Sequence, residues 1–299
     1  MAYRGRFAPS PTGPLHFGSL VAAVGSYLEA RSHGGEWLVR MEDLDPPRVM
    51  PQAARHILHT LHAFGFEWDQ PVVHQSTRAE AYHAALHRLR VGGFLYPCAC
   101  SRREISDSAL QGIEGPVYPG TCREGLPDQR RARALRVRTD GEAIAFSDPV
   151  QGKIVQSLER EIGDFVVYRA DRVFSYQLAV VVDDAEQGIT DVVRGADLLL
   201  STPRQIHLQR LLGLPAVGYV HLPVAVNAAG QKLSKQTLAL AVEADAAATV
   251  LGAALGFLGQ PVGAALLRLP LRAFWRAAVE EWNPARIPRV RERLAPVAS

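Results

Sequence analysis

The run Pro9-Ser10-Pro11-Thr12-Gly13-Pro14 constrains this chain most. Three prolines and a glycine in so short a stretch exclude a helix or strand interior, because proline has no amide N–H to donate. Ordered structure is read on both sides of it. Arg6–Pro9 reads as the end of a short strand. From Gly18 onward Leu20, Val24, Tyr27 and Leu28 fall on one helical face, and Gly34-Gly35 stops the helix. Trp37–Met41 reads as a buried strand ending in the acidic turn Glu42-Asp43-Leu44-Asp45-Pro46-Pro47. Strand, loop, helix, strand is a βαβ unit. It predicts an α/β fold with a parallel sheet covered by helices. The loop after the first strand then lies at the carboxyl edge of the sheet, where open α/β folds bind ligands.

Composition sets the outer bounds. A chain of 299 residues with 47% hydrophobic and 21% charged residues can bury a sizeable core as one large or two ordinary domains. The net charge of +3 permits a local nucleic-acid patch without arguing for one. The 3 Cys exclude a disulfide scaffold. No apolar run suffices to cross a membrane: Leu178–Val182 is cut short by Asp183 and Asp184, and Met1–Phe7 lacks a signal core. The chain is read as a cytoplasmic monomer.

Amphipathic helices are expected near 51–64 and 76–91. Residues 97–133 carry all the cysteines and the run Arg130-Arg131-Ala132-Arg133, and short strands follow at Ala134–Thr139, Ala143–Ser147 and Lys153–Gln156. This block reads as an insertion. The α/β pattern resumes with a strand at Asp164–Tyr168, a buried helix at Ser175–Glu186, a strand at Ile189–Arg194, a helix at Pro203–Leu212 and a strand at Tyr219–Val226. An Ala- and Leu-rich helical region is expected after about residue 240. The resulting division is 1–95, first half of a Rossmann-like domain; 96–160, insertion; 161–240, second half; 241–299, helical C-terminal region.

Two loops have phosphate chemistry. In the first, His16 can donate to a phosphoryl oxygen, Gly18 lets a ligand approach the backbone, and the following helix N-terminus is positive. In the second, Gln231-Lys232-Leu233-Ser234-Lys235-Gln236, two lysines flank Ser234 and can neutralise charge developing on phosphate. Together His16-Phe17-Gly18 and Lys-Leu-Ser-Lys resemble the two signatures of class I aminoacyl-tRNA synthetases. Ser19, Leu233 and Gln236 depart from the usual spelling. Arg6 with Phe7–Gly13, Arg40–Asp45, Phe174–Asp184 and Thr190–Asp197 resemble glutamyl-tRNA synthetase.

The matching stretches span roughly residues 4–240, and only about 60 residues follow Lys235, too few for the helical anticodon-binding domains of a full glutamyl-tRNA synthetase. The layout is similar to the short glutamyl-queuosine tRNA(Asp) synthetase family. That resemblance implies tRNA-independent activation of glutamate by ATP and transfer to the queuosine base at the wobble position of tRNA(Asp). It implies glutamate held by Arg6, Phe7, Ala8, Pro9, Ser10, Glu42, Tyr176 and Arg194, with ATP at His16, Gly18, Ser234 and Lys235. His16, Lys232 and Lys235 are the expected catalytic residues, and ATP would come with Mg²⁺. The chemistry agrees: arginine forks take carboxylates, Glu42 can take the ammonium, and Ser10 and Tyr176 offer neutral hydrogen bonds. Which arginine serves the side-chain carboxylate is open at this level.

Cys98, Cys100 and Cys122 suit tetrahedral zinc but leave the fourth ligand open to His, Asp or water. The family resemblance implies one structural zinc on Cys98, Cys100, Tyr118 and Cys122. Arg102, Arg103, Arg130, Arg131, Arg133, Arg136 and Arg138 either meet RNA phosphates or form a solvated face. Alternatives to the transfer reaction are a truncated synthetase charging tRNA 3′ ends, a non-catalytic RNA-binding paralogue, and a nucleotidyltransferase that uses no tRNA.

Overall fold

Strand β1 (Arg4–Phe7), helix α1 (Phe17–Ser32) and strand β2 (Glu36–Met41) form the expected βαβ unit in a computed structural model that describes residues 2–108, 110–127, 129–233 and 247–296. The pairing is parallel, with Arg6 opposite Leu38 and Phe7 opposite Val39. After α2 (Ala53–Ala63), the short β3 (Val73–His74) extends the sheet beyond β2, again in parallel. Helix α3 (Ala79–Val91) then leads into the middle block.

That block begins with β4 (Leu95–Cys98), α4 (Arg102–Ser108) and a small hairpin of β5 (Gln111–Gly112) and β6 (Gly115–Pro116). It continues through β7 (Ala134–Val137), the hairpin of β8 (Ala143–Asp148) and β9 (Gly152–Ser157), the single-turn α5 (Leu158–Glu161) and β10 (Phe165–Tyr168). β7 is the centre of an antiparallel sheet with β4 on one side and β10 on the other. The sheet therefore reaches Tyr168, past the expected insertion boundary at residue 160. β10 was expected to resume the parallel sheet. Its alternating pattern only requires one covered face, and either sheet supplies that.

The chain returns through α6 (Tyr176–Glu186), β11 (Asp191–Gly195), α7 (Thr202–Leu212), β12 (Gly218–Leu222) and β13 (Val224–Val226). β11 and β12 are parallel. The Thr190 N–H donates to the Arg4 carbonyl at 3.0 Å, and the Arg4 N–H donates to Thr190 Oγ1 at 2.9 Å, so the starts of β1 and β11 lie side by side. Both halves thus present their carboxyl ends to the same edge. The single strand expected over Tyr219–Val226 is interrupted at Pro223, which has no N–H for a ladder.

The C-terminal region is helical in part, with α8 (Ala247–Phe257) and α9 (Leu271–Glu280), and also holds an unexpected strand, β14 (Glu292–Leu294), parallel to β13. It is built into the main core. Leu251, Leu255, Phe274 and Trp275 are buried with Leu20, Val24, Leu28 and Trp37. Trp275 Nε1 donates to the Phe64 carbonyl at 2.9 Å, and Trp282 Nε1 donates to Glu29 Oε2 at 2.6 Å. Buried indoles with satisfied N–H groups both fill volume and fix orientation.

Candidate active site

The carboxyl edge opens into a cleft of about 1210 Å³. Its walls include Arg6, Phe7, Ala8, Pro9 and Ser10 from β1 and the loop after it, and His16 and Gly18 from the start of α1. Glu42 at the end of β2, Tyr176 on α6, Arg194 on β11 and Lys232 after β13 complete the expected set. Residues separated by most of the chain therefore share one space. Ser234 and Lys235 lie outside the described residues.

His16 is the N-cap of α1. Its Nδ1 accepts the Ser19 N–H at 3.3 Å, and Ser19 Oγ lies 3.0 Å from Nε2. The imidazole thus stands at the positive end of a helix 16 residues long, where anions are favoured. Gly18 marks the approach of the two loops: a Cβ there would sit 3.3 Å from the His16 ring and 3.5 Å from the Leu233 carbonyl oxygen. Lys232 Nζ is 2.5 Å from Asp197 Oδ2, so that lysine is tethered across the cleft mouth to the segment that follows β11.

Arg6 and Glu42 are joined by a buried charge network whose other members, Arg40, Asp183 and Asp184, the sequence reading left without a role. Asp184 Oδ1 accepts from Arg6 Nε at 3.1 Å and from Arg40 at 2.8 Å, and a second Arg40 nitrogen reaches Glu42 Oε1 at 3.4 Å. Asp183 accepts from Gln75 and Tyr82, each at 2.7 Å, and from Arg78 Nε at 2.5 Å. Burial alone would raise the Asp184 carboxyl, but Arg6 and Arg40 outweigh it and hold it below the ordinary carboxylate range. Burial pushes Glu42 up, opposed by the same two guanidiniums. Such a network is costly to break, because removing one partner leaves a buried charge uncompensated.

Arg194 is 5% exposed and held on several sides. Its Nε donates to His221 Nε2 at 3.1 Å, a terminal nitrogen donates to Thr202 Oγ1 at 2.8 Å, and the other is 3.4 Å from the Tyr176 hydroxyl. The guanidinium carbon sits 5.4 Å from the centre of the Tyr219 ring. Desolvation pushes the His221 pKa down from 6.5 to about 4, against the pull of Asp148. In the unfolded chain this histidine takes up a proton near its ordinary value, which the folded chain refuses until about pH 4. Stability should therefore fall as pH drops through that window, by ~3 kcal/mol in all, and the effect should level off below it. Urea unfolding across the window checks this, and His221→Gln should flatten the slope.

A second cluster lies in the middle block. The sulfurs of Cys98, Cys100 and Cys122 are all within 4.8 Å of one another, with Cys100 and Cys122 3.6 Å apart. The Tyr118 hydroxyl is 3.5 Å from Cys98 Sγ and 3.8 Å from Cys100 Sγ. A tetrahedral zinc site with ordinary bond lengths needs S···S near ~3.8 Å and S···O near ~3.5 Å, so the donor set has suitable dimensions. Arg136 lies over this cluster, 3.8 Å from the centre of the Tyr118 ring, with Nε 3.3 Å from Cys98 Sγ. Burial opposes ionisation of Cys98, but hydrogen bonds from Tyr118 and Arg136 outweigh it and hold its thiol below the ordinary range. Arg136 is 8% exposed, so it belongs neither to a phosphate-facing surface nor to a solvated strand face. Arg130 pairs with Glu104 at 2.8 Å and Arg138 with Glu124 at 3.3 Å.

Residues 2–261 match the family model for tRNA synthetases class I (E and Q), catalytic domain. The chain is 63% identical over 289 residues to a protein of Dechloromonas aromatica (strain RCB) named Glutamyl-Q tRNA(Asp) synthetase, with 96% of each chain covered. A protein of Aromatoleum aromaticum with the same name is 59% identical, over 99% of this chain and 94% of its own. In fold, the chain is similar to a glutamate-tRNA synthetase from Elizabethkingia anophelis, with a TM-score of 0.80 at 21% identity, covering 97% of this chain and 67% of that one. The matched family model thus spans every described wall of the cleft, and the chain belongs to the class I tRNA synthetases of the E and Q group.

Proposed function

We propose that this chain, an aminoacyl-transferring ligase, activates glutamate with ATP and passes it to the queuosine base of tRNA(Asp). One observation carries the reading. The glutamate-type residues Arg6, Glu42, Tyr176 and Arg194 share a cleft with His16 and Lys232, in a chain whose relatives bear that activity in their name.

A glutamate carboxylate oxygen attacks the α-phosphorus of ATP, supplied with Mg²⁺, and pyrophosphate leaves, giving glutamyl-adenylate. A hydroxyl of the queuosine cyclopentene ring then attacks the activated carbonyl, and AMP leaves. The protein's contribution is positioning and charge stabilisation. Arg194 receives a carboxylate, Glu42 receives the ammonium, and His16 with the N-terminus of α1 meets the phosphates. Lys232 would release Asp197 to follow the charge that accumulates on the leaving pyrophosphate. Cys98, Cys100, Tyr118 and Cys122 would hold one zinc, whose part is to crosslink the middle block.

The acceptor is tested by transfer of labelled glutamate to tRNA(Asp) from cells that make queuosine and from cells that cannot. Labelling of the first preparation alone is the expected result. Equal labelling of both, or labelling of tRNA(Glu), would overturn the acceptor assignment. Lys235→Ala should slow glutamate-dependent ATP–pyrophosphate exchange at least ~10-fold, about 1.4 kcal/mol of barrier. The Lys-Leu-Ser-Lys motif motivates that expectation. Unchanged exchange would remove Lys235 from the mechanism.

A further inference from the structure

A buried relay connects the hairpin of the middle block to the glutamate wall of the cleft. The turn between β8 and β9 inserts into the main core through Val150. Beside it, Gln151 Nε2 donates to the carbonyls of His221 and Val290, both at 3.0 Å. Asp148, at the end of β8, is 3% exposed. Its Oδ1 accepts the N–H groups of Val150 and Gln151, both at 2.8 Å. Its Oδ2 accepts the His221 N–H at 2.9 Å and lies 2.7 Å from His221 Nδ1. The other face of that imidazole meets Arg194 Nε and Thr202 Oγ1, each 3.1 Å from Nε2. A guanidinium has only donors. The hydrogen-bond network therefore assigns Nε2 as an acceptor and puts the ring proton on Nδ1, donated to Asp148.

We propose that Asp148 and His221 are positioning residues for Arg194: the hairpin sets the imidazole tautomer, and the tautomer aims the guanidinium at the incoming carboxylate. This rests on the assignment of Arg194 to glutamate made above. Arginine has a long, rotamer-rich side chain, and a charge-assisted hydrogen bond to a carboxylate forms only when the donating nitrogen is correctly placed. His221 fixes Nε and Thr202 fixes one terminal nitrogen. The remaining one, beside the Tyr176 hydroxyl at 3.4 Å, is presented to the cleft. A second-layer acceptor that orients a ligand-binding group commonly matters nearly as much as the group itself.

The test compares two polar replacements of similar size. His221→Gln puts an amide oxygen where Nε2 stood and can still accept from Arg194. His221→Asn reaches only the position of Nδ1 and leaves Arg194 Nε without its acceptor. In glutamate-dependent ATP–pyrophosphate exchange, the Asn variant should raise the glutamate KM by about tenfold or more. The ATP KM should stay put, and the Gln variant should remain near wild type. Equal glutamate KM values for the two variants, or glutamate and ATP KM rising together, would overturn the proposal. An independent measurement needs no variant: ¹⁵N NMR of the wild-type protein should find His221 protonated on Nδ1, and a proton on Nε2 would equally sink it. Failure of the Arg194 assignment itself is distinguishable, because Arg194→Ala would then leave the glutamate KM of exchange unchanged while the ¹⁵N spectrum still placed the His221 proton on Nδ1.

Discussion

Arg194→Ala should cost about 3 kcal/mol in transition-state binding of glutamate, a ~150-fold loss in kcat/KM for that substrate. The motivating geometry is a guanidinium gripped by His221, Thr202 and Tyr176 at the cleft wall. Removing it leaves a carboxylate without its charge partner in a largely desolvated place. Arg194→Lys should recover little, because a single ammonium nitrogen cannot be held by His221 and Thr202 and also be presented to the carboxylate. The ATP KM should hardly change. A loss below about threefold would move the carboxylate to another cation, and Arg6 is the alternative. Arg6 is the weaker candidate on geometry, because its guanidinium is already engaged by Asp184 at 3.1 Å. The steady-state parameters for both substrates, measured in the exchange assay, decide the matter.

Cys122→Ser should abolish zinc content, from one ion per chain to none by elemental analysis. Cys122 is fully buried, and its sulfur stands 3.6 Å from that of Cys100 and accepts the Ala99 N–H at 3.5 Å. The local core here is small, made of Tyr96, Cys98, Ala99, Tyr118 and Cys122 with a few partly buried neighbours. A core of that size cannot hold long irregular connections by burial alone. Structural zinc sites supply ~10–16 kcal/mol of binding free energy that is also folding free energy. Proteolysis of the variant should therefore begin within the middle block. Adenylate formation should survive, since the β8–β9 turn that reaches the cleft is anchored in the main core through Val150 and not in this cluster. Wild-type protein prepared with ample zinc and found metal-free would refute the site.

The signature loops were legible because their chemistry is contiguous. His16 and Gly18, or Lys232 and its neighbours, sit within a few residues of one another, and proline and glycine fix the local backbone. The βαβ unit was legible for a similar reason: its periodicity changes within a short stretch. The charge network was not. Arg40 and Asp184 are 144 positions apart, and each alone reads as a surface charge. Their one sequence signal is position, with two acids closing the buried face of Leu178–Val182. His221 and Asp148 are equally silent, 73 positions apart and each in an ordinary strand. β14 escaped notice because all three of its residues are exposed, so no alternation marks it. The role of Arg136 was obscured by its basic neighbours, which do lie nearer solvent.

The pairing of β13 with β14 has a consequence for how the molecule is made. Val224 lies opposite Glu292, and Glu29 is bonded to Trp282. A ribosome working at about 5–20 residues per second needs several seconds to travel from one member of the first pair to the other. Throughout that interval the strand that leads into Lys232 has an open edge, and the main core lacks Phe274 and Trp275. Non-local closures of this kind are slow and leave apolar surface uncovered while they wait. The segment that carries Lys232 is thus born beside an unfinished core, and its supporting strand gains its neighbour only once Glu292–Leu294 has been made.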